Sequence, residues 1–245
     1  FKLSESNTTV GIELGAGLTT FMAMAYIAFV NPQMMASAGM DQGAAFVATC
    51  IAAALACFFM GLYANWPVGL APGMGLNAFF TYTIVGDMGY PWETALGAVF
   101  IAGILFVILT VTRLREWMLI SIPWNLRIAM GAGIGLFVGM IGLRNGGLIV
   151  DHPATLLSLG NFQITETLLA ALGFIIITGL ATRRFPGAIL LGILAATAVG
   201  LGVGVVQYQG VVSAPPSIAP VLGKLDIAAA LDVAMTSAIA SLLFV

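Results

Sequence analysis

The run from Gln42 to Gly86 is the longest stretch of this chain without a charged side chain, and two prolines stand in the middle of it. Its depth places it inside a membrane. Yet Asn65-Trp66-Pro67-Val68-Gly69-Leu70-Ala71-Pro72-Gly73-Met74-Gly75-Leu76-Asn77-Ala78-Phe79-Phe80-Thr81 cannot be one ordinary spanning helix. Pro67 and Pro72 each remove a backbone donor and push the preceding residue towards extended backbone. Gly69, Gly73 and Gly75 add freedom and remove bulk. After Pro72 the breakers stop. The pattern predicts a stretch, Pro67 to Leu76, that is at least partly non-helical, followed by a short half-helix to about Val85 that starts near Gly73 to Asn77. Irregular backbone at membrane depth is tolerated only where protein buries it or where it lines a cavity. A half-helix N-terminus there offers unpaired N–H groups and the positive end of a dipole. That is a binding site in outline, with Asn77 one turn into the helix. Close packing is the competing reading, since Gly69 and Gly73 have small-xxx-small spacing. Packing alone does not account for two prolines and an amide beside the break.

The composition agrees with a membrane solvent. Hydrophobic residues make up 60% of the chain and charged residues 7%, and the mean hydropathy is +1.08. A polytopic α-helical membrane protein follows. The apolar runs are continuous, unlike the short alternating segments of a barrel. No basic patch suits nucleic acid, and the net charge of −2 points to no partner. Cys50 and Cys57 lie seven apart in one apolar run and read as reduced core residues. His152, the only histidine, stands between Asp151 and Pro153 and reads as a solvated loop residue. No metal-ligand cluster, nucleophile–base set or buried acid–base pair is apparent, so no enzyme, metal or cofactor is called for.

Taken in order, a polar lead-in, Phe1 to Val10, precedes a first span from about Leu14 to Ala38, with Glu13 at its mouth. Thr19, Thr20 and Tyr26 fall on one side of it and suit interhelical hydrogen bonding somewhat better than ligand contact. Asn31-Pro32 is expected to kink or end it. An Ala-rich, closely packed second span covers Gly43 to Tyr63, and the broken third element ends at a turn, Gly86 to Pro91. A fourth span, Trp92 to Val111, stops before Arg113 and Arg115, and Glu116 to Leu126 suits an interfacial helix. Arg127 opens a fifth span to Leu143 whose five glycines suggest close contact or movement. Arg144 to Glu166 reads as a polar loop with short structure in it. Spans six and seven, Thr167 to Ala181 and Pro186 to Val206, flank Arg183-Arg184. A Pro-containing loop, Gln207 to Asp226, leads to an eighth span near Ala228.

Charge asymmetry orients the chain. With a cytoplasmic N-terminus the inside holds Lys2, Arg113, Arg115, Arg127, Arg183 and Arg184, against Arg144 and Lys224 outside. The tally works only if the broken third element crosses as one pass. The apolar run at Ala230 to Val245 stops with no flanking charge, as expected of a chain cut inside a membrane helix.

The run Gly17-Leu18-Thr19-Thr20-Phe21-Met22-Ala23-Met24-Ala25-Tyr26-Ile27, then Asn31-Pro32 and Leu70 to Phe80, resembles the AzgA-like purine permeases of the nucleobase–cation symporters. Ser121-Ile122-Pro123, Leu126-Arg127, Ala132 to Phe137, Ile141 to Leu143 and Gly187 to Leu190 agree. The resemblance implies fourteen spans in two inverted repeats, with a core and a gate domain. By it, residues 1–112 are half of the core, 113–226 half of the gate, and 227–245 the start of span eight. Substrate would sit between two broken elements, one per repeat, with coupling carboxylates beyond Val245. Asn77 and the Gly73–Gly75 turn carry over as substrate-binding residues, and Phe79, Thr19 and Thr20 less directly.

The expectation is therefore proton-coupled import of adenine, guanine or hypoxanthine across a bacterial inner (plasma) membrane. The partners are a purine, a proton, the bilayer and the missing second repeat, and a homodimer is open to such a fold. The planar edge of a base suits exposed N–H groups, the Asn77 amide and an aromatic such as Phe79. An anion transporter of the same fold, using the helix dipole for sulfate or bicarbonate, and a non-transporting membrane scaffold are the alternatives.

Overall fold

The computed structural model describes residues 8–112, 120, 123–185, 187–208, 210, 213–231 and 235–244. Helix α1 is Val10–Met24, opened by the Thr9 hydroxyl accepting the Ile12 N–H at 3.4 Å, with Glu13 in its first turn. Both features suit a helix N-terminus. Helix α2, Ile27–Ser37, follows after a two-residue interruption and contains Pro32. The expected break at Asn31-Pro32 thus lies earlier, at Ala25-Tyr26. A proline ring displaces the carbonyl four residues before it, here that of Ala28, so the disturbance falls in the preceding turn. There the bonds tighten to i−3: Ala28 N–H meets Ala25 O at 3.2 Å and Phe29 N–H meets Tyr26 O at 3.0 Å.

Helix α3, Gln42–Leu62, starts where the Asp41 carboxylate accepts the Ala44 N–H at 2.7 Å. It stops where Asn65 turns left-handed (φ 49°) and the Trp66 N–H reaches back to Met60 O at 3.2 Å. Asparagine tolerates that conformation better than most residues. After an extended stretch, helix α4 is Met74–Ala78, and the backbone continues from Phe79 to Asp87 as a π-helix. The predicted half-helix is present. It starts two residues before Leu76, and its wide-turned second part had no breaker to announce it.

Helices α5 (Trp92–Val111) and α6 (Trp124–Asn145) follow. The guanidinium of Arg127 lies 5.5 Å over the Trp124 ring, a pairing suited to a membrane interface. The expected interfacial segment, Glu116 to Leu126, lies mostly outside the described residues, as do Arg113, Arg115 and Lys2. The loop Arg144 to Glu166 contains an antiparallel hairpin, β1 (Ile149–His152) with β2 (Leu156–Leu159), in register Ile149↔Leu159 to His152↔Leu156. Arg144 pairs with Asp151 at 2.6 Å, and His152 Nδ1 takes the N–H groups of Ala154 and Thr155 across the turn, both at 3.3 Å. Then come α7 (Thr165–Thr182), α8 (Ala188–Val203), α9 (Ile227–Ala230) and α10 (Thr236–Phe244).

Among the described residues, five stretches are long and apolar enough to cross a membrane: Val10–Ser37, α3, α5, α6 and α7. Helix α8 is apolar but shorter, at 16 residues. This is a mostly helical polytopic membrane protein.

The chain forms two compact units. The first comprises Phe1–Val30, Thr49–Pro72 and Met140–Pro215. In it α7 and α8 pack along small residues, with Gly192 against the Ile177 side chain and Gly173 against Ala196. Gly187, left-handed at φ 80°, brings the start of α8 onto Met22 of α1. The second unit comprises Asn31–Ala48, Gly73–Gly139 and Pro216–Val245. It holds nearly all of the fully buried side chains, among them Ile84, Ala95, Ala98, Ala230, Met235 and Ala238, each at 0% exposure. Helices α9 and α10 return onto α5 there, and the Asp226 N–H bonds Glu93 O at 3.1 Å.

Two packing expectations fail. From Ile51 onward the Ala-rich α3 is mostly exposed, and among the described residues the five glycines of α6 have no neighbour within 4 Å of where a side chain would begin. An apolar surface costs little against lipid, so small residues need not be covered within one chain.

Candidate functional site

The broken element has an extended limb and a half-helix. The limb lies in the first unit. At Pro67 the Val68 N–H closes a tight turn onto Trp66 O at 2.9 Å. Gly69 then presses on α1: a Cβ there would stand 2.6 Å from Met24 Sδ and 2.9 Å from Thr20 Cγ2. Next, Leu70 meets α3 through a side chain. Its N–H donates to Cys57 Sγ at 3.1 Å, and the thiol donates back to Leu70 O at 3.2 Å. A cavity of about 590 Å³ opens between α1, α3 and the limb, walled by Phe21, Met24, Thr49, Cys50, Cys57 and Leu70 among others. Both cysteines are free thiols, and Cys50 is exposed. The expected core placement therefore fails for Cys50, because the α3 face that carries it borders this cavity.

The half-helix lies in the second unit. Gly73 caps it with extended backbone (φ −76°, ψ 117°) and supplies no side-chain bond. Among the described residues, the N–H groups of Met74, Gly75 and Leu76 have no hydrogen-bond partner, as the geometry of a helix start dictates. The Asn77 N–H closes the first turn onto Gly73 O at 3.2 Å. Its side-chain amide donates to Asn31 Oδ1 at 2.5 Å, and Asn31 is only 6% exposed. One turn further, the Thr81 hydroxyl donates to Met34 O at 3.3 Å. Two polar bonds therefore fasten the half-helix to α2, where apolar contact alone would let it slide. The π-helical turn begins at once, with Phe80 and Thr81 buried and Phe79 half-buried. Such wide turns are common at functional sites.

Gly73, Gly75, Asn77 and Phe79 thus share one short piece of backbone. Gly73 is unobstructed, whereas a Cβ on Gly75 would stand 3.2 Å from Ile134 Cγ2 of α6. The packing and site readings of the glycines separate here: Gly69 is a packing glycine and Gly73 is not. Thr19 and Thr20 belong to the other unit. Their hydroxyls donate within α1, to Gly15 O at 2.9 Å and Ala16 O at 3.0 Å, in place of the interhelical bonds expected of them. Sequence reasoning did not foresee that Asn31 would hold the Asn77 amide. Its signal was present, a carboxamide in an apolar span beside a proline.

The four half-helix residues are uncharged, and Asp87 at the far end of the π-helix is exposed. Free N–H groups beside an amide with donor and acceptor capacity can recognise the edge of a neutral polar molecule. Among the described residues no group of three His, Cys, Asp or Glu side chains is placed to hold a metal.

Residues 11–245 match a family model described as "Permease family". The chain is 48% identical to Adenine permease AdeP of Escherichia coli, over all of this chain and 55% of that protein. It is also 48% identical to a putative permease of Methanocaldococcus jannaschii, over all of this chain and 56% of that one. Guanine/hypoxanthine permease PbuG of Bacillus subtilis is 39% identical over 91% of this chain and 53% of its own length. The chain spans about half the length of the curated relatives it matches. These relatives are transporters and not enzymes, and the apolar helices described above are what such proteins require. The chain belongs to the Permease family, among relatives named for adenine and for guanine/hypoxanthine.

Proposed function

We propose that this chain forms the first of two inverted repeats of a fourteen-span purine transporter that imports adenine, guanine or hypoxanthine by proton symport. The observation that carries the reading is the broken third element: an extended limb ending at Gly73, then a helix start with unpaired N–H groups and Asn77 one turn in. A purine edge offers both acceptors and donors, which these groups complement. Asn77, Gly73 and Gly75 bind substrate, Phe79 supplies an aromatic surface, and Thr19 and Thr20 contribute from the first span. The second repeat supplies the other broken element and the coupling carboxylates. Residues 1–112 and 113–226 are halves of a core and a gate, 227–245 opens span eight, and the N-terminus is cytoplasmic in a bacterial inner membrane. The names of the relatives support nucleobase transport, and the anion alternative is not favoured.

The test is uptake of labelled adenine, guanine and hypoxanthine into cells that lack purine permeases of their own and express the intact protein. Saturable uptake of at least one purine, abolished by a protonophore, is expected. Absence of purine uptake by protein shown to be in the membrane contradicts the reading.

A further inference from the structure

The extended limb has almost no backbone bonds of its own, yet it must hold its course at membrane depth. Between Asn65 and Pro72, the backbone N–H bonds among the described residues are those of Trp66 and Val68, both before Gly69. Gly69 and Ala71 have none. Leu70 is the exception, and its partner is a side chain: Cys57 Sγ accepts the Leu70 N–H and donates to the Leu70 carbonyl. A thiol is a weak donor and a weak acceptor, but here it does both at once. It satisfies the two polar backbone groups of a half-buried residue that would otherwise have no partner in the limb. The pairing imitates a rung of sheet without a second strand.

Two further observations give this bond a mechanical consequence. At one point the limb is seated tightly, with Gly69 against Thr20 and Met24. Beside that point it borders a cavity of about 590 Å³ whose wall includes Gly69, Met24 and Cys57 itself. The bond to Cys57 is thus the polar tie across a limb that has room to move. We propose that Cys57 is a positioning residue: its thiol catches the limb at Leu70 and so holds the course of the limb through Ala71 and Pro72. The bond is soft enough to be broken and remade as the element shifts during transport, which a full sheet rung is not. The transport part of this inference rests on the proposed function. The catch itself does not.

The experiment uses the intact permease in detergent or lipid nanodiscs, with hydrogen exchange read at single-residue resolution across residues 66–73. In wild-type protein the Leu70 amide should exchange more slowly than those of Gly69 and Ala71. Cys57→Ala should speed Leu70 exchange by about two- to tenfold, the effect of losing one hydrogen bond. Cys57→Ser, whose hydroxyl also donates and accepts, should restore most of the protection. In uptake assays Cys57→Ala should change KM for the transported purine more than it changes the amount of protein in the membrane, again with rescue by serine. Leu70 exchange as fast as that of its neighbours in wild type overturns the proposal, and so does Cys57→Ala exchange equal to wild type. If wild type transports no purine, the substrate reading falls, while the exchange comparison still decides the catch.

Discussion

Gly69 and Gly73 are four residues apart and chemically identical, and the structure gives them opposite surroundings. A side chain at Gly69 must displace Met24, which is flexible, and Thr20, whose β-branched side chain is stiff and bonded to Ala16 O. Gly69→Ala should therefore destabilise the protein by about 1–3 kcal/mol, the usual cost of overpacking. Gly73→Ala should be within about 0.5 kcal/mol of wild type in stability, since its backbone is in the extended region open to alanine. Melting temperatures of the two variants, side by side, check this contrast. The sequence could not separate the two glycines, because spacing says which residues share a face and not what stands opposite. The same limit applies to Asn31. Its carboxamide was visible, but its pairing with Asn77, 46 residues away, depends on how α2 and α4 meet.

At the scale of elements, spans were legible wherever an apolar run ended at a charge, a proline or a polar cap. Asp41 at the start of α3 and the two prolines before α4 are of this kind. The π-helix from Phe79 to Asp87 was not, since no residue type marks an added residue per turn. The hairpin was legible only as short structure within a polar loop, since four-residue strands are too brief to show an alternating pattern. The return of α9 onto α5 was also hidden, though it explains a glycine. A Cβ at Gly97 would run into the Asp226 carbonyl and stand 3.0 Å from Ala230 Cβ. Backbone cannot step aside as a side chain can. Gly97→Ala should cost about 1–3 kcal/mol, whereas Gly103→Ala, with nothing within 4 Å, should be neutral or slightly stabilising. Urea or thermal unfolding of both variants is the check, and equal stability of the two would show that α9 does not seat on α5.

For the whole molecule, membrane character followed from composition, and the family from the residues around the break. Orientation rests on charge, and its decisive positions are experimentally reachable. Arg183 and Arg184 are exposed between α7 and α8. By the charge rule, Arg183→Cys should resist a membrane-impermeant thiol reagent in intact cells and react after permeabilisation, compared with a background lacking Cys50 and Cys57. Labelling in intact cells would reverse the topology. Whether the broken element touches substrate can be asked at Asn77. Calorimetric titration of purine into the intact permease, wild type beside Asn77→Ala, with melting temperatures on the same samples, asks it most directly. Losing the amide should weaken binding by about two- to tenfold for one hydrogen bond to a neutral partner, rising to about a hundredfold where a buried partner is left unpaired. Unchanged affinity with a lowered melting temperature would leave Asn77 as nothing more than the tie to Asn31 and contradict the central claim.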